Sequence, residues 1–212
     1  MTDTPSHGQP VSNWNVPNIL TVVRIILVPV YVVLLFRDPE LFEWRLAATA
    51  VFVLAMLTDL ADGYIARKYN LITDFGKIWD PIADKALTGA AFISLSILTL
   101  PSGPEYPARP ELPWAFTIII LVREWGITWV REVLKKYGTV MAANKGGKAK
   151  TATQTFALIL FSLGLAFLPG WLQVIAWALM WAALILTIVT GIDYLIGAWR
   201  IRRDALAKEQ SG

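Results

Sequence analysis

The sequence predicts an all-α polytopic membrane protein with six transmembrane helices and both termini cytoplasmic. Three observations carry that prediction. Of the 212 residues, 56% are hydrophobic and only 17% are charged, which is too apolar for a soluble domain of this length. Six long apolar stretches follow one another, each near the ~20 residues that cross a ~30 Å hydrocarbon core. Basic residues concentrate in alternate connections, as they do on the cytoplasmic side of membrane proteins.

The spans are expected at 18–36, 44–66, 78–100, 112–134, 151–168 and 172–199. Pro29 lies inside the first and is expected to kink it. The second and third are joined by a short connection holding Arg67, Lys68 and Lys77. The Pro-rich segment 101–113 is a loop, because no helix continues through so many prolines. The fourth and fifth are joined by a connection with Lys135, Lys136, Lys145, Lys148 and Lys150. Pro169-Gly170 reads as a tight turn before the sixth. Arg200, Arg202, Arg203 and Lys208 follow the sixth, so this tail and the two Lys-rich connections face the cytoplasm. Trp14, Trp44, Trp114, Trp171 and Trp199 stand near span ends, where interfacial anchors sit. Residues 1–13 form a polar stretch without a basic start or an apolar run, expected to be a disordered tail rather than a signal peptide. The membrane domain is placed at 14–200 and a basic C-terminal tail at 201–212.

Composition also limits the chemistry. There is no cysteine, which excludes thiol nucleophiles and thiolate metal sites. The one histidine, His7, lies in the polar tail, which argues against imidazole catalysis and His-based zinc. Carboxylates, lysine, arginine, hydroxyls and bound metal remain.

Asp59, Asp62, Asp80 and Asp84 stand in or beside the second and third spans. A charge at the bilayer centre costs about 2.5–3.5 kcal/mol, so four bare carboxylates would cost on the order of 10 kcal/mol. Asp59 and Asp62 are three apart and share a helix face; Asp80 and Asp84 are four apart and share another. If the two helices are antiparallel neighbours, all four converge near the cytoplasmic mouth. Oxygen ligands suit hard cations such as Mg²⁺ or Mn²⁺. Two divalent ions would balance four carboxylates and form a clamp for displacement at phosphorus. Gly63, Ala66 and Gly76 leave room for a ligand beside the backbone, Arg67 can fork onto a phosphate, and Thr73 offers a hydroxyl. A lone Asp near a helix end is usually a cap or solvated; four on two faces, with glycine and arginine between them, are not explained that way.

The pattern Asp59-x2-Asp62-Gly63-x2-Ala66-Arg67-x8-Gly76-x3-Asp80-x3-Asp84 resembles the signature of the CDP-alcohol phosphotransferase family at every defined position. The resemblance implies a six-span enzyme that transfers a phosphoryl group from a CDP-linked donor to an alcohol and releases CMP. It implies that Asp59, Asp62, Asp80 and Asp84 bind two divalent ions, Mg²⁺ or Mn²⁺, and that Asp84 is also the general base. Gly63, Arg67 and Thr73 match positions that hold the CDP moiety, and Ala66 and Gly76 belong to the same donor site. Family members form homodimers, so a second copy of the chain is an expected partner.

The acceptor must be read elsewhere. Asn18 and Thr21, on the first span, are placed to contact the donor from a third helix; the plain alternative is a helix start with Asn18 as its cap. Arg24 lies about two turns inside that span, where a charge is a functional candidate. Arg123 and Arg131, with Glu124 and Glu132, interrupt the fourth span, and Lys145, Lys148 and Lys150 open the fifth. Some of these are orientation signals, and Arg123 with Glu124 is a possible internal pair. Together Arg24, Arg123, Arg131, Lys145, Lys148 and Lys150 would supply a cationic pocket for a phosphate on the acceptor. The segments NVPNILTVVRIILVP, WDPIADK, LVREWGITWVRE and AANKGGKAKTATQ resemble the bacterial branch of the family whose acceptor is sn-glycerol 3-phosphate and whose donor is CDP-diacylglycerol. Those two substrates and membrane lipids are the expected partners, with no nucleic acid. The nearest rival is the same chemistry with inositol phosphate, inositol, serine or phosphatidylglycerol as acceptor. An ion-coupled transporter is the rival from another class, disfavoured by the short chain and the lack of an inverted repeat.

Overall fold

Each of the six apolar stretches becomes one helix in the computed structural model, which describes residues 15–69, 71, 73–100, 111–136 and 145–209. The helices are α1 (Val16–Arg37), α2 (Phe42–Lys68), α3 (Asp74–Leu98), α4 (Trp114–Lys136), α5 (Lys145–Leu163) and α6 (Gly170–Glu209). Among the described residues four segments are long and apolar enough to cross a membrane: Val16–Arg37, Phe42–Lys68, Ile78–Leu98 and Gly170–Arg200. α4 and α5 fall outside that group. α4 carries Arg123, Glu124, Arg131 and Glu132, and α5 opens on three lysines within six residues. Such charges dilute the apolar character on which a span is recognised.

Two compact units divide the chain, Met1–Ala91 and Phe92–Gly212. In the first, α1 packs on α2. The buried side of α1 follows a seven-residue rhythm: Pro17, Thr21, Arg24, Tyr31 and Leu35. The facing side of α2 follows the same rhythm through Ala48, Phe52, Ala55, Asp59 and Asp62. Tyr31 meets Phe52 with ring centroids 5.5 Å apart, while Arg24 meets Asp59 and Asp62. The pair is therefore antiparallel, and each seam is apolar at one end and polar at the other. The apolar end buries Tyr31, Leu35, Ala48, Phe52 and Ala55 completely, and burying each large side chain contributes about 1.5–3 kcal/mol. That packing fixes the register that brings the polar ends together.

The start of α1 is set by Asn15, whose side chain accepts from the Asn18 N–H at 3.0 Å, and by Pro17 in the first turn, where its missing N–H costs nothing. Asn15, not Asn18, is the cap, which frees the Asn18 side chain for another partner. α3 is started by Thr73, whose Oγ1 accepts from the Gly76 N–H at 3.1 Å. Pro81 lies within α3 directly after Asp80; having no N–H, it leaves the carbonyl of residue 77 without its usual helical donor.

In the second unit α6 packs on α5 and on α4. Phe116 meets Trp181 edge-on at 4.9 Å and Phe161 meets Trp177 at 5.1 Å. The connection expected as a Pro169-Gly170 turn is longer. α5 stops at Leu163, Gly164 adopts φ 86°, a short 3-10 turn covers Leu165–Phe167, and Pro169 accepts from the Leu172 N–H at 2.9 Å. The left-handed Gly164, rather than the proline, ends α5. α5 also begins six residues before the expected position 151, and α6 continues helically to Glu209 through most of the expected tail. The expected tail at 1–13 and most of the Pro-rich loop, residues 101–110, lie outside the described residues.

Candidate active site

Each of the first three helices supplies one polar patch to the first unit, and side-chain contacts join them. Arg24, fully buried on α1, places Nη1 2.6 Å from an Asp59 carboxylate oxygen and donates through Nη2 to Asp62. Asp62 is itself buried, whereas Asp59 retains 32% of its side-chain exposure. One turn before Arg24, Thr21 donates its hydroxyl to Asp80 on α3 at 2.5 Å, with the Pro17 carbonyl at 3.1 Å as the alternative acceptor. Another turn back, Asn18 Oδ1 accepts from the Thr73 hydroxyl at 3.0 Å. So Asn18, Thr21 and Arg24, at i, i+3 and i+6 of one helix face, connect in turn to Thr73, Asp80 and the Asp59–Asp62 pair.

Gly76 stands at the crowded end of this ladder. A Cβ there would come within 3.1 Å of Asn18 Oδ1, 3.4 Å of Asp80 Oδ2 and 3.4 Å of Thr73 Oγ1. The missing side chain is what lets Asn18 Oδ1 come so close over the first turn of α3, while the other two would be in ordinary contact. Gly63 has a related use. The Arg67 guanidinium folds back over it, so a Cβ would meet Nη1 at 3.3 Å and Nη2 at 3.5 Å. Arg67 is otherwise exposed, and Ala66 is half-buried beside it, its carbonyl accepting from the Leu71 N–H at 3.0 Å. Asp84 lies one turn beyond Asp80, half-buried, with its main-chain carbonyl accepting from Thr88.

Among the described residues no group of three or more carboxylates is arranged to hold one ion. Three of the four carboxylates expected to converge, Asp59, Asp62 and Asp80, are met by groups of α1. Asp59 and Asp62 are drawn to the Arg24 guanidinium, and Asp80 is drawn to Thr21. The residues nevertheless fit a hard divalent cation. The donors are all carboxylate oxygens, and the guanidinium between Asp59 and Asp62 is a positive charge already seated at a cation-receiving pair.

The expected acceptor cations divide by unit. Arg24 is engaged with the two carboxylates. Within the second unit, Arg123 donates through Nε to the Thr187 carbonyl at 3.2 Å and through Nη2 to Thr190 Oγ1 at 2.7 Å. The hydrogen-bonded partner of Glu124 is not Arg123. Successive helical residues point about 100° apart, and Glu124 instead accepts from buried Lys150 on α5 at 2.5 Å. Arg131 is exposed and stands over the Tyr194 ring at 5.8 Å. Lys148 is exposed, and the Lys145 side chain lies outside the described residues. Asn15, Thr187, Thr190, Gly191 and Tyr194 were not anticipated. The last four recur at i, i+3, i+4 and i+7 on α6, and polar groups at that spacing in an apolar helix were the available sign.

Helices apolar enough to cross a membrane, two of them sharing a carboxylate motif that a third meets with Thr21 and Arg24, define a membrane protein with a polar site among three helices, and the comparisons with known proteins make it specific. Residues 14–189 match the CDP-alcohol phosphatidyltransferase family model, and the chain belongs to that family. Members of the family are generally dependent on a divalent metal. The chain is 42% identical over 187 residues to a probable phosphatidylglycerophosphate synthase of Mycobacterium tuberculosis H37Rv, covering 88% of this chain and 82% of that one. It is 38% identical over 183 residues to a CDP-diacylglycerol–glycerol-3-phosphate 3-phosphatidyltransferase of Rickettsia typhi, covering 85% and 94%. It is 36% identical over 201 residues to the Bacillus subtilis protein of the same description, covering 88% and 96%.

Proposed function

We propose that this chain transfers the phosphatidyl group of CDP-diacylglycerol to sn-glycerol 3-phosphate, giving phosphatidylglycerol phosphate and CMP. The observation that carries the reading is the ladder from α1 to the carboxylate motif, Asn18–Thr73, Thr21–Asp80 and Arg24–Asp59/Asp62. It supports a site in which all three helices act on one charged donor headgroup. The names of the similar proteins support the choice of acceptor.

Asp59, Asp62, Asp80 and Asp84 would hold the divalent ions, Mg²⁺ or Mn²⁺, which when bound supply charge neutralisation at the pyrophosphate. The chain's own groups do the rest. Arg67 pairs with a donor phosphate, and Gly63 and Ala66 leave space beside it. Asn18, Thr73 and Gly76 form the polar end that receives the nucleotide. Asp84 accepts the proton of the acceptor hydroxyl as its oxygen bonds to the β-phosphorus, and the bond from that phosphorus to the oxygen of the CMP phosphate breaks. CMP leaves with that oxygen. No Ser, Cys or His in the motif offers a covalent alternative. Arg123 and Arg131 bind the acceptor's own phosphate, while Lys148 attracts anions more diffusely. Lys150 pairs with Glu124, which weakens that carboxylate's pull on Arg123.

All six helices span the cytoplasmic membrane in this reading, with both termini and the carboxylate motif facing the cytoplasm, and two copies of the chain associate. The basic residues at alternate connections support the orientation, and the family resemblance supports the dimer.

The test is CMP release from the purified protein with CDP-diacylglycerol and, separately, sn-glycerol 3-phosphate, inositol phosphate, inositol, serine and phosphatidylglycerol. Release with sn-glycerol 3-phosphate far above the others is expected. Release only with another acceptor would overturn the acceptor, and no release with any would overturn the reaction.

A further inference from the structure

One face of α6 carries Thr187, Thr190, Gly191 and Tyr194, at i, i+3, i+4 and i+7, in a helix otherwise rich in large apolar residues. Arg123 lies flat on it. Its Nε reaches the Thr187 carbonyl and its Nη2 the Thr190 hydroxyl, and a Cβ on Gly191 would come within 3.1 Å of its Cγ and 3.4 Å of its Nε. The Thr187 hydroxyl is fully buried and has no hydrogen-bond partner among the described residues; the Tyr194 hydroxyl is likewise buried and unpartnered. Arg131 stands over the Tyr194 ring. The two α6 groups that hold Arg123, a carbonyl and a hydroxyl, are neutral, and the adjacent Glu124 is paired with Lys150. The guanidinium is thus held in place by groups that do not themselves neutralise it.

We propose that this stripe of α6 is a positioning and specificity element that presets the arginines of α4 for a phosphate-bearing acceptor. The inference rests on the proposed acceptor role of Arg123 and adds the residues that hold it. An arginine side chain carries about 2 kcal/mol of rotamer entropy. Two bonds to α6 and the flat contact at Gly191 remove much of that freedom before the ligand arrives, so that binding does not have to. Nη1 and the remaining N–H of Nη2 keep the fork that a phosphate accepts. A carboxylate in place of Thr190 would hold the arginine as well but would cancel the charge.

The experiment uses the full-length enzyme in lipid nanodiscs and measures kcat and both KM values for Thr190→Val, Thr190→Ser, Gly191→Ala and Arg123→Ala. Thr190→Val and Gly191→Ala are expected to raise the KM for sn-glycerol 3-phosphate about five- to tenfold and to leave that for CDP-diacylglycerol within about twofold. Thr190→Ser should restore near-normal values, and Thr190→Val should add nothing on top of Arg123→Ala. Thr190→Val keeps the side-chain shape, so it remains informative if Gly191→Ala fails to fold. If Arg123→Ala raises the acceptor KM while Thr190→Val and Gly191→Ala do not, the seat is wrong and the acceptor role stands. Equal rises for both substrates would also overturn the seat. If Arg123→Ala leaves the acceptor KM unchanged, the acceptor role falls and the seat with it.

Discussion

The two units solve the same problem, an arginine in apolar surroundings, fully buried in the first and half-buried in the second, in opposite ways. In the first, Arg24 faces Asp59 and Asp62, so its charge is consumed by carboxylates. In the second, Arg123 is held by a carbonyl and a hydroxyl, and the neighbouring Glu124 is drawn off by Lys150. Removing one partner of a buried charge pair is costly because the other is left uncompensated. Holding an arginine by neutral groups leaves it hungry for an anion. In the proposed reading the first arrangement keeps two carboxylates organised for cations, and the second keeps a cation organised for an anionic ligand. The proposed transfer between two phosphate-bearing substrates would use both.

The most severe way to break this division is to disable proton transfer without disturbing either arginine. Asp84→Asn keeps the size and one acceptor oxygen of the side chain but cannot accept the proton. Its turnover is expected to fall about 10²–10⁴-fold, while binding of CDP-diacylglycerol, measured by equilibrium titration, stays far closer to normal. Equal loss of binding and turnover would reduce Asp84 to a metal ligand.

A smaller effect is expected at Arg24. Breaking a buried pair by removing one partner costs about 3–5 kcal/mol, and less here because Asp59 is about a third exposed. Arg24→Ala should lower the unfolding midpoint of the purified protein in divalent-free buffer, and added Mg²⁺ should recover more stability in the variant than in the parent. An unchanged midpoint would mean that Arg24 does not organise the carboxylates. Arg123→Ala should show no such rescue, since no carboxylate is released by its loss.

Much of this contrast was visible in the residues alone. The six helices follow from apolar length. The carboxylate motif follows from charges whose cost in apolar company demands a reason. Partner choice was not visible. Periodicity places Arg24 on the buried face of α1, but only the antiparallel register set by Tyr31 against Phe52 decides that it meets Asp59 and Asp62. Glu124 follows Arg123 in sequence, yet its partner comes from another helix, because neighbours on a helix diverge. Asn18 resembled a cap, and Asn15 turned out to fill that place. The α6 stripe was overlooked because threonine, glycine and tyrosine at helical spacing carry no charge to draw notice. Its role depends on what packs against it.

The finest probe of the first unit is Gly76. Its contacts are all polar: a Cβ would press on Asn18 Oδ1 at 3.1 Å and touch Asp80 Oδ2 and Thr73 Oγ1 at 3.4 Å. Alanine suits a helix interior better than glycine by roughly 0.5–1 kcal/mol, so on backbone grounds alone the substitution should stabilise α3. The side chains oppose it, because Asn18 can yield only by lengthening its bond to Thr73, the cap of α3. Gly76→Ala is therefore expected to leave global stability nearly unchanged and to weaken CDP-diacylglycerol binding a few-fold, roughly 1 kcal/mol. The KM for sn-glycerol 3-phosphate should stay put, the reverse of what Gly191→Ala does. A donor affinity equal to that of the parent would show that the Asn18–Thr73 contact does not shape the nucleotide end of the site. A shift in the acceptor KM instead would show that the donor and acceptor tasks are not divided between these two glycines.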